Sequence, residues 1–281
     1  MERFISKMGK AIYRLLMKIE GPELEPFLWH SHYLTAHHSK KTLSTLGRKL
    51  KGIILDLGAG TGYGARFLDP NKTKYIPTDI PGGRNPEDSL ITKMSERIKI
   101  YCSCYELPFS NDCIDGIMMI SLLEHLENPC IALNEAYRIL IPGGHIIVAV
   151  PFAFPVHGFP MDFHRWTREG LKLDMMNAGF EIMEAQYHGS IFTSLALNTN
   201  LFMKYSLIKG KSTLMIIMLL YLGFPLRIIF QLIINLLAIL LNPIDKSDTF
   251  PLGVSILGRK RNDDETRSKV HEGIQKGLMM Q

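Results

Sequence analysis

A chain of 281 residues, 46% of them hydrophobic, is long enough for one α/β domain with extensions and short for two full domains. Its net charge of +5 is not gathered into a basic run interleaved with aromatics, which argues against a nucleic-acid partner. Cys102, Cys104, Cys113 and Cys130 show no Cys-x-x-Cys spacing, so they read as reduced thiols of a cytosolic fold rather than as structural zinc ligands.

Residues 4–19 place Phe4, Ile5, Met8, Ile12, Leu15, Leu16 and Ile19 on one helical face, with Arg3, Lys7, Lys10, Arg14 and Lys18 on another. That pattern suits a helix lying in a membrane interface or packed on the domain, and nothing after it has the form of a signal-peptide cleavage site. Gly21-Pro22 stops it. Next comes a segment with His30, His32, His37 and His38 beside Trp29 and Tyr33, read as a helical lid. With no cysteine or carboxylate cluster to complete a ligand set, no metal is expected there.

The run Ile53-Ile54-Leu55-Asp56-Leu57-Gly58-Ala59-Gly60-Thr61-Gly62-Tyr63-Gly64 is a buried strand entering a glycine-rich turn at the ligand crevice of a parallel sheet. A dinucleotide fingerprint needs glycine at position 63, where Tyr63 stands, and Asp56 would sit close to a pyrophosphate. The acid instead suits a positively charged amino group, as at the methionine end of S-adenosylmethionine. A second strand over Lys74–Asp79 ends in a carboxylate able to accept from both hydroxyls of a ribose.

A third strand over Ile98–Tyr101 and a fourth over Cys113–Ile120 follow, the latter flanked by Asp112 and containing Asp115. Helix periodicity runs over Asn128–Leu140, then a Pro142-Gly143-Gly144 turn and a fifth strand over His145–Val150. The loop from Phe152 to Thr167 gathers His157, Asp162, His164, Arg165 and Trp166 at the C-terminal side of a strand, the place for a substrate wall. Thr167 can cap the helix that follows.

The run Asp56-x-Gly58-x-Gly60-x-Gly62 resembles motif I of the class I S-adenosylmethionine-dependent methyltransferases. The resemblance continues through Asp79, Leu107-Pro108-Phe109, Glu124-His125-Leu126 and Arg138-Ile139-Leu140-Ile141-Pro142-Gly143-Gly144, in the order of the type 11 subgroup, and covers residues 50–190. It implies a doubly wound, mostly parallel seven-stranded sheet of Rossmann-like form and S-adenosyl-L-methionine as cofactor. The implied cofactor contacts are Asp56, Gly58, Gly60, Gly62, Asp79, Ile80, Ser103, Cys104 and Ser121. In the family pattern an acid stands where this chain has Ser103, so either a hydroxyl or a backbone carbonyl meets the adenine amino group or the affinity for the cofactor is lower.

From Leu214 to Leu241 the chain is apolar apart from Arg227, Gln231, Asn235 and a Gly223-Phe224-Pro225 break. The break leaves arms of about 15 and 24 Å, short of a hydrocarbon core of about 30 Å. Leu252–Leu257 reads as the last strand of the same sheet, so a helical hairpin dipping into one leaflet is expected, held on the cytoplasmic face with the lysines flanking it. A buried helical pair, a dimer interface and a transmembrane span are the other readings. The expected division is therefore 1–48 an N-terminal helical or lid segment, 49–200 the cofactor-binding core, 201–243 the membrane-associating insertion, 244–260 the last strand and 261–281 a polar tail.

An oxygen nucleophile needs a base, and His157 and His164 lead, with Asp162 to orient either and His125 next. Enzymes acting on cell-surface polysaccharides carry segments similar to Asp162-Phe163-His164-Arg165-Trp166-Thr167, which points to a hydroxyl of a lipid-linked saccharide as acceptor. A quinone or other lipid phenol is second, and a non-catalytic methyltransferase-like membrane protein or a nucleotide-binding oxidoreductase are the competing classes.

Overall fold

Apolar runs bounded by glycine and proline become the strands, and the computed structural model describes residues 26–81, 98–158, 160–206 and 213–262. The strands are β1 (Gly52–Leu57), β2 (Thr73–Asp79), β3 (Ile100–Tyr101), β4 (Ile114–Ile120), β5 (Leu140–Pro151), β6 (Phe180–His188) and β7 (Gly253–Lys260). They form one seven-stranded sheet in the order β3-β2-β1-β4-β5-β7-β6. The pairs β1–β2, β1–β4, β2–β3 and β4–β5 are parallel. The order reverses between β1 and β4, so the C-terminal ends of those two strands flank the crevice where a doubly wound sheet takes its ligand. The helices are α1 (Tyr33–Gly47), α2 (Pro129–Ile139), α3 (Arg168–Asn177), α4 (Ile191–Ser206) and α5 (Thr213–Leu241).

Two compact units make up the described chain. One comprises 42–152, 156–186 and the residues from 254 on, and the other comprises the residues up to 41, 153–155 and 187–253. In the first, Leu43, Leu46 and Leu50 pack with Ile54, Met118, Ile147 and Leu257 into a buried core. The Asp115-Gly116 pair has a structural reason: Asp115 Oδ2 accepts from Ile53 N–H at 2.7 Å, holding the start of β1. A Cβ on Gly116 would come within 2.7 Å of Ile54 Cδ1, so a larger residue there would push the Ile54 side chain aside.

Arg138, near the end of α2, explains why two distant motifs occur together. Its guanidinium donates to both carboxylate oxygens of Glu135, to Phe109 O at 2.8 Å, to Leu107 O at 3.0 Å and to Asn111 Oδ1 at 3.0 Å. Glu135 Oε2 in turn accepts from Leu107 N–H at 2.8 Å. The planar fork thus ties the Leu107-Pro108-Phe109 segment to α2, and lysine has no second prong with which to do so. Arg138→Ala is expected to lower the thermal midpoint by roughly 3–8 °C, with Arg138→Lys giving little rescue. A melting curve for each variant checks this.

Most strand ends fall within two or three residues of expectation, and two elements depart further. The Pro142-Gly143-Gly144 segment does not form a turn before a strand at His145. β5 begins at Leu140 and absorbs the segment as an irregularity, with the β4–β5 register shifting between Ile114 and Gly116 and Gly143 at φ 78. Between those pairs β4 advances by two residues and β5 by five, so the segment bulges out of the ladder and the pairing resumes at His145.

The second correction concerns the late insertion. In place of a hairpin, α5 runs without interruption from Thr213 to Leu241, about 43 Å of helix. Pro225 removes one backbone donor, whereas a reversal would need a full turn sequence that Gly223-Phe224-Pro225 does not supply. Within the second unit Leu34 of α1 packs with Ala196, Leu197 and Leu201 of α4, Ala238 of α5 and Leu252. Gln231 and Asn235 are fully buried. Asn235 accepts from Asn200 Nδ2 at 2.9 Å and donates to Leu28 O at 2.6 Å and His30 O at 3.2 Å, so this part of the polar stripe faces protein. The helix expected over 4–19 lies outside the described residues.

Candidate active site

At the end of β1 the chain must turn sharply, and Gly58, Gly60 and Gly62 do so at φ 68, 51 and 73, values that side chains other than glycine's rarely adopt. Asp79, ending the neighbouring β2, holds the turn: its Oδ2 accepts from Gly60 N–H at 2.9 Å and its Oδ1 from Ile80 N–H at 2.8 Å. Ala59 N–H adds a bond to Thr78 O at 2.9 Å. Each Asp79 oxygen keeps acceptor capacity, and the carboxylate is partly exposed. Ile80 beside it leaves 42% of its surface in solvent, an apolar face next to a diol acceptor. The residues present therefore fit the ribose and the flat base of S-adenosylmethionine.

Asp56 was expected to meet the amino group of the cofactor directly. Instead it is 2% exposed, its Oδ2 accepts from the Tyr75 hydroxyl at 2.5 Å, and it packs behind the turn. A Cβ on Gly64 would stand 2.4 Å from the same oxygen, so Gly64 is glycine to make room for the carboxylate. Asp56 thus helps to hold the loop from its buried side. Burial, reinforced by the charge of Asp79 and opposed by the Tyr75 bond, pushes its carboxyl up to about 7. The folded chain then holds a proton that the unfolded chain, with an ordinary aspartate pKa of about 3.9, has lost. Stability should fall as pH rises from about 4 to about 7, by at most about 1.4 kcal/mol per pH unit, and flatten above. Thermal midpoints of wild type and Asp56→Asn across that range check the sign, because the variant should lack this slope.

At the end of β3, Ser103 is exposed and its Oγ accepts from Tyr105 N–H at 3.2 Å. Cys104 beside it is buried, and that burial pushes its thiol up to about 11, leaving it an uncharged neighbour. Ser121, exposed at the end of β4, adopts φ 51, with its N–H bonded to Ala149 O at 2.8 Å. A strained residue here turns the chain out of the sheet and into the helical turn Leu123–His125.

That turn and the loop after β5 bring the reactive groups together. Glu124 is completely buried and His125 is 6% exposed. Glu124 Oε1 lies 3.6 Å from His125 Nε2 and 4.0 Å from His157 Nε2, and the two rings meet edge to face with centroids 4.8 Å apart. His157 Nδ1 lies 3.3 Å from Asp162 Oδ2, which also accepts from His157 N–H at 2.8 Å. Arg165 grips Asp162 with two prongs, at 2.6 and 2.8 Å, and holds its carboxyl down at about 2. The loop backbone is pinned as well, Phe163 N–H donating to Glu124 O at 2.8 Å.

Of the expected base candidates, His125, His157 and Asp162 converge. His164 does not join them, its Nε2 lying 3.4 Å from Glu127 O. Trp166 is buried and donates to Asp174 Oδ2 at 2.7 Å, a structural anchor rather than a substrate wall. Glu124 is the residue that sequence reasoning passed over as a site group. The signal was an acid inside the otherwise apolar Leu122-Leu123-Glu124-His125-Leu126, which buries a charge only for a purpose.

A family profile described as methyltransferase domain matches residues 30–201. A probable S-adenosylmethionine-dependent methyltransferase of Mycolicibacterium smegmatis is 24% identical over 183 residues, 62% of this chain and 70% of the relative. A demethylmenaquinone methyltransferase of Clavibacter sepedonicus is 28% identical over 96 residues, 34% of this chain and only 39% of that relative's length. Among solved structures, a chain in the complex between the Haloferax volcanii Trm112 methyltransferase activator and the putative methyltransferase superposes with TM-score 0.50 and 19% identity, covering 80% of this chain and 89% of its own. The [4+2]-cyclase SpnF does so with TM-score 0.50 and 18% identity, covering 80% and 81%. These last two likenesses concern the fold. With the match over 30–201, the ordered motifs and the glycine turn anchored on Asp79, the chain belongs to the methyltransferase-domain family, as a class I S-adenosylmethionine-dependent member.

Proposed function

We propose that the chain transfers a methyl group from S-adenosylmethionine to an oxygen nucleophile of a membrane-associated acceptor, in the first place a hydroxyl of a lipid-linked or cell-surface saccharide. The observation that carries the reading is the meeting of two structures at the switch point of the sheet. The glycine turn after β1 packs against Leu122, where a Cβ on Gly58 would come 2.7 Å from Leu122 Cδ1, and the Glu124–His125–His157 cluster starts two residues further on. When bound, the cofactor supplies a methyl group already activated on a sulfonium. The residues of the chain align the acceptor, an effect worth up to about 7–11 kcal/mol in favourable cases. They also receive its proton, and His157 is the group placed to do so, with Asp162 orienting its ring.

Membrane association is supported by the described part of α5 and the turn after it. Leu226–Ile244 is long and apolar enough to cross a membrane by length and composition, and 17% of it is buried. Leu226, Ile229, Ile233, Leu237, Leu240 and Ile244 are exposed, a cost in water that lipid removes. We place the protein on the cytoplasmic face, with membrane lipid as a partner. A quinone or other lipid phenol is the second acceptor class, favoured by the relatives named demethylmenaquinone methyltransferase. Incubating the protein with membranes and methyl-labelled S-adenosylmethionine tests both. Label in a saccharide-bearing lipid supports the first reading, label in a quinone fraction replaces it with the second, and label in water-soluble products alone removes the membrane-associated acceptor.

A further inference from the structure

The geometry points to a site for one divalent transition-metal ion, held by Glu124, His125 and His157. One ligand atom from each of these residues lies within 4.8 Å of the others. Both imidazoles present the same atom inward, Nε2, at 3.6 and 4.0 Å from Glu124 Oε1. The other nitrogens turn outward, His125 Nδ1 to the carbonyl of Met161 and His157 Nδ1 to Asp162 Oδ2 at 3.3 Å and Arg165 Nη2 at 3.4 Å. An Nδ1–H donated outward leaves the lone pair on Nε2, and such an outer acceptor is what orients a histidine ligand and raises its basicity. Asp162 is itself locked by the two prongs of Arg165, so the outer shell is rigid on the His157 side.

Two imidazole nitrogens and one carboxylate form a borderline donor set. It suits zinc or a neighbouring first-row metal better than magnesium or calcium, which take oxygen ligands. Three protein ligands leave coordination positions open for an incoming oxygen. The histidines at 30–38 form no such group among the described residues.

This inference rests on reading the cluster as the place where the acceptor is activated, and deepens it. The acceptor hydroxyl coordinates the ion, which lowers its pKa, and its proton passes to solvent. The freed oxygen lone pair forms the new C–O bond as the C–S bond breaks toward sulfur, and the metal changes no oxidation state. His157 then acts as a ligand, and the metal takes over the task otherwise given to its imidazole.

The test uses the full chain, stripped with a chelator and titrated with Co(II), whose visible ligand-field bands report coordination. Wild type is expected to bind one equivalent, displaced by Zn(II). His157→Ala, at a partly exposed position, and His125→Ala should each weaken binding by at least about tenfold. Glu124→Gln, which keeps the side-chain shape, should do the same. No stoichiometric binding by wild type, or unchanged affinity in all three variants, would overturn the site. Undiminished methyl transfer by the stripped protein would overturn the role of the ion and leave His157 as a base. If the ion binds as described and no acceptor is ever methylated, the functional reading fails by itself.

Discussion

Replacing His157 with Gln is expected to lower turnover by about 100-fold or more while leaving cofactor affinity within about twofold of wild type. Both halves follow from placement. His157 Nε2 faces Glu124 in the cluster, whereas the bonds that hold the cofactor turn run between Gly60, Asp79, Ala59 and Thr78 and do not involve it. Gln keeps a polar side chain of similar length but cannot take up a proton or reproduce the ring's hold on Asp162. Single-turnover assays with calorimetry of S-adenosylmethionine binding separate the two quantities. Near wild-type turnover would remove His157 from the chemistry and return attention to His164, which the fold places beside Glu127 O. A parallel loss of cofactor affinity would instead mean that the loop after β5 supports the cofactor turn.

Asp79→Ala should show the reverse split, an affinity for S-adenosylmethionine lower by about 100-fold with turnover at saturating cofactor far less affected. The substitution removes two effects at once. It deletes the carboxylate that the resemblance assigns to the cofactor's ribose, and it frees Gly60 N–H and Ile80 N–H from the bonds that hold the turn in its left-handed conformation. Hydrogen bonds to a charged group are worth about 1.5–3 kcal/mol each, so losing more than one of them exceeds a tenfold effect. Asp79→Asn, which retains one acceptor oxygen, should fall between the two. Calorimetry showing unchanged affinity in Asp79→Ala would sink the assignment of this carboxylate to the cofactor.

Much of this molecule is determined by local sequence. Alternating glycines after a buried run can only be a turn out of a parallel strand, because three left-handed positions in five residues exclude other side chains. An acid at the end of the next strand must lie beside that turn, because parallel neighbours end level, Leu57 pairing with Thr78. The place of Asp79 beside the turn follows from those local constraints.

What sequence could not decide was which distant side chains meet, and on which side of a wall each one falls. Asp56 reads as a pocket residue by its spacing, yet the room left by Gly64 and the hydroxyl of Tyr75 draw it behind the turn. His157 and His164 are equivalent on paper, seven residues apart in one loop. Tertiary packing separated them: Asp162, clamped by Arg165, turned one ring toward Glu124, whereas His164, its own N–H bonded to the Glu124 carbonyl, turns its ring to Glu127 O. The apolar insertion is one helix rather than a hairpin for a comparable reason. A single proline costs one backbone bond, whereas the hydrogen bonds of Asn235 to Asn200, Leu28 and His30 and the packing of Ala238 on α4 are gained along a continuous axis. Periodicity records which faces are apolar, and only the assembled chain shows what each face meets.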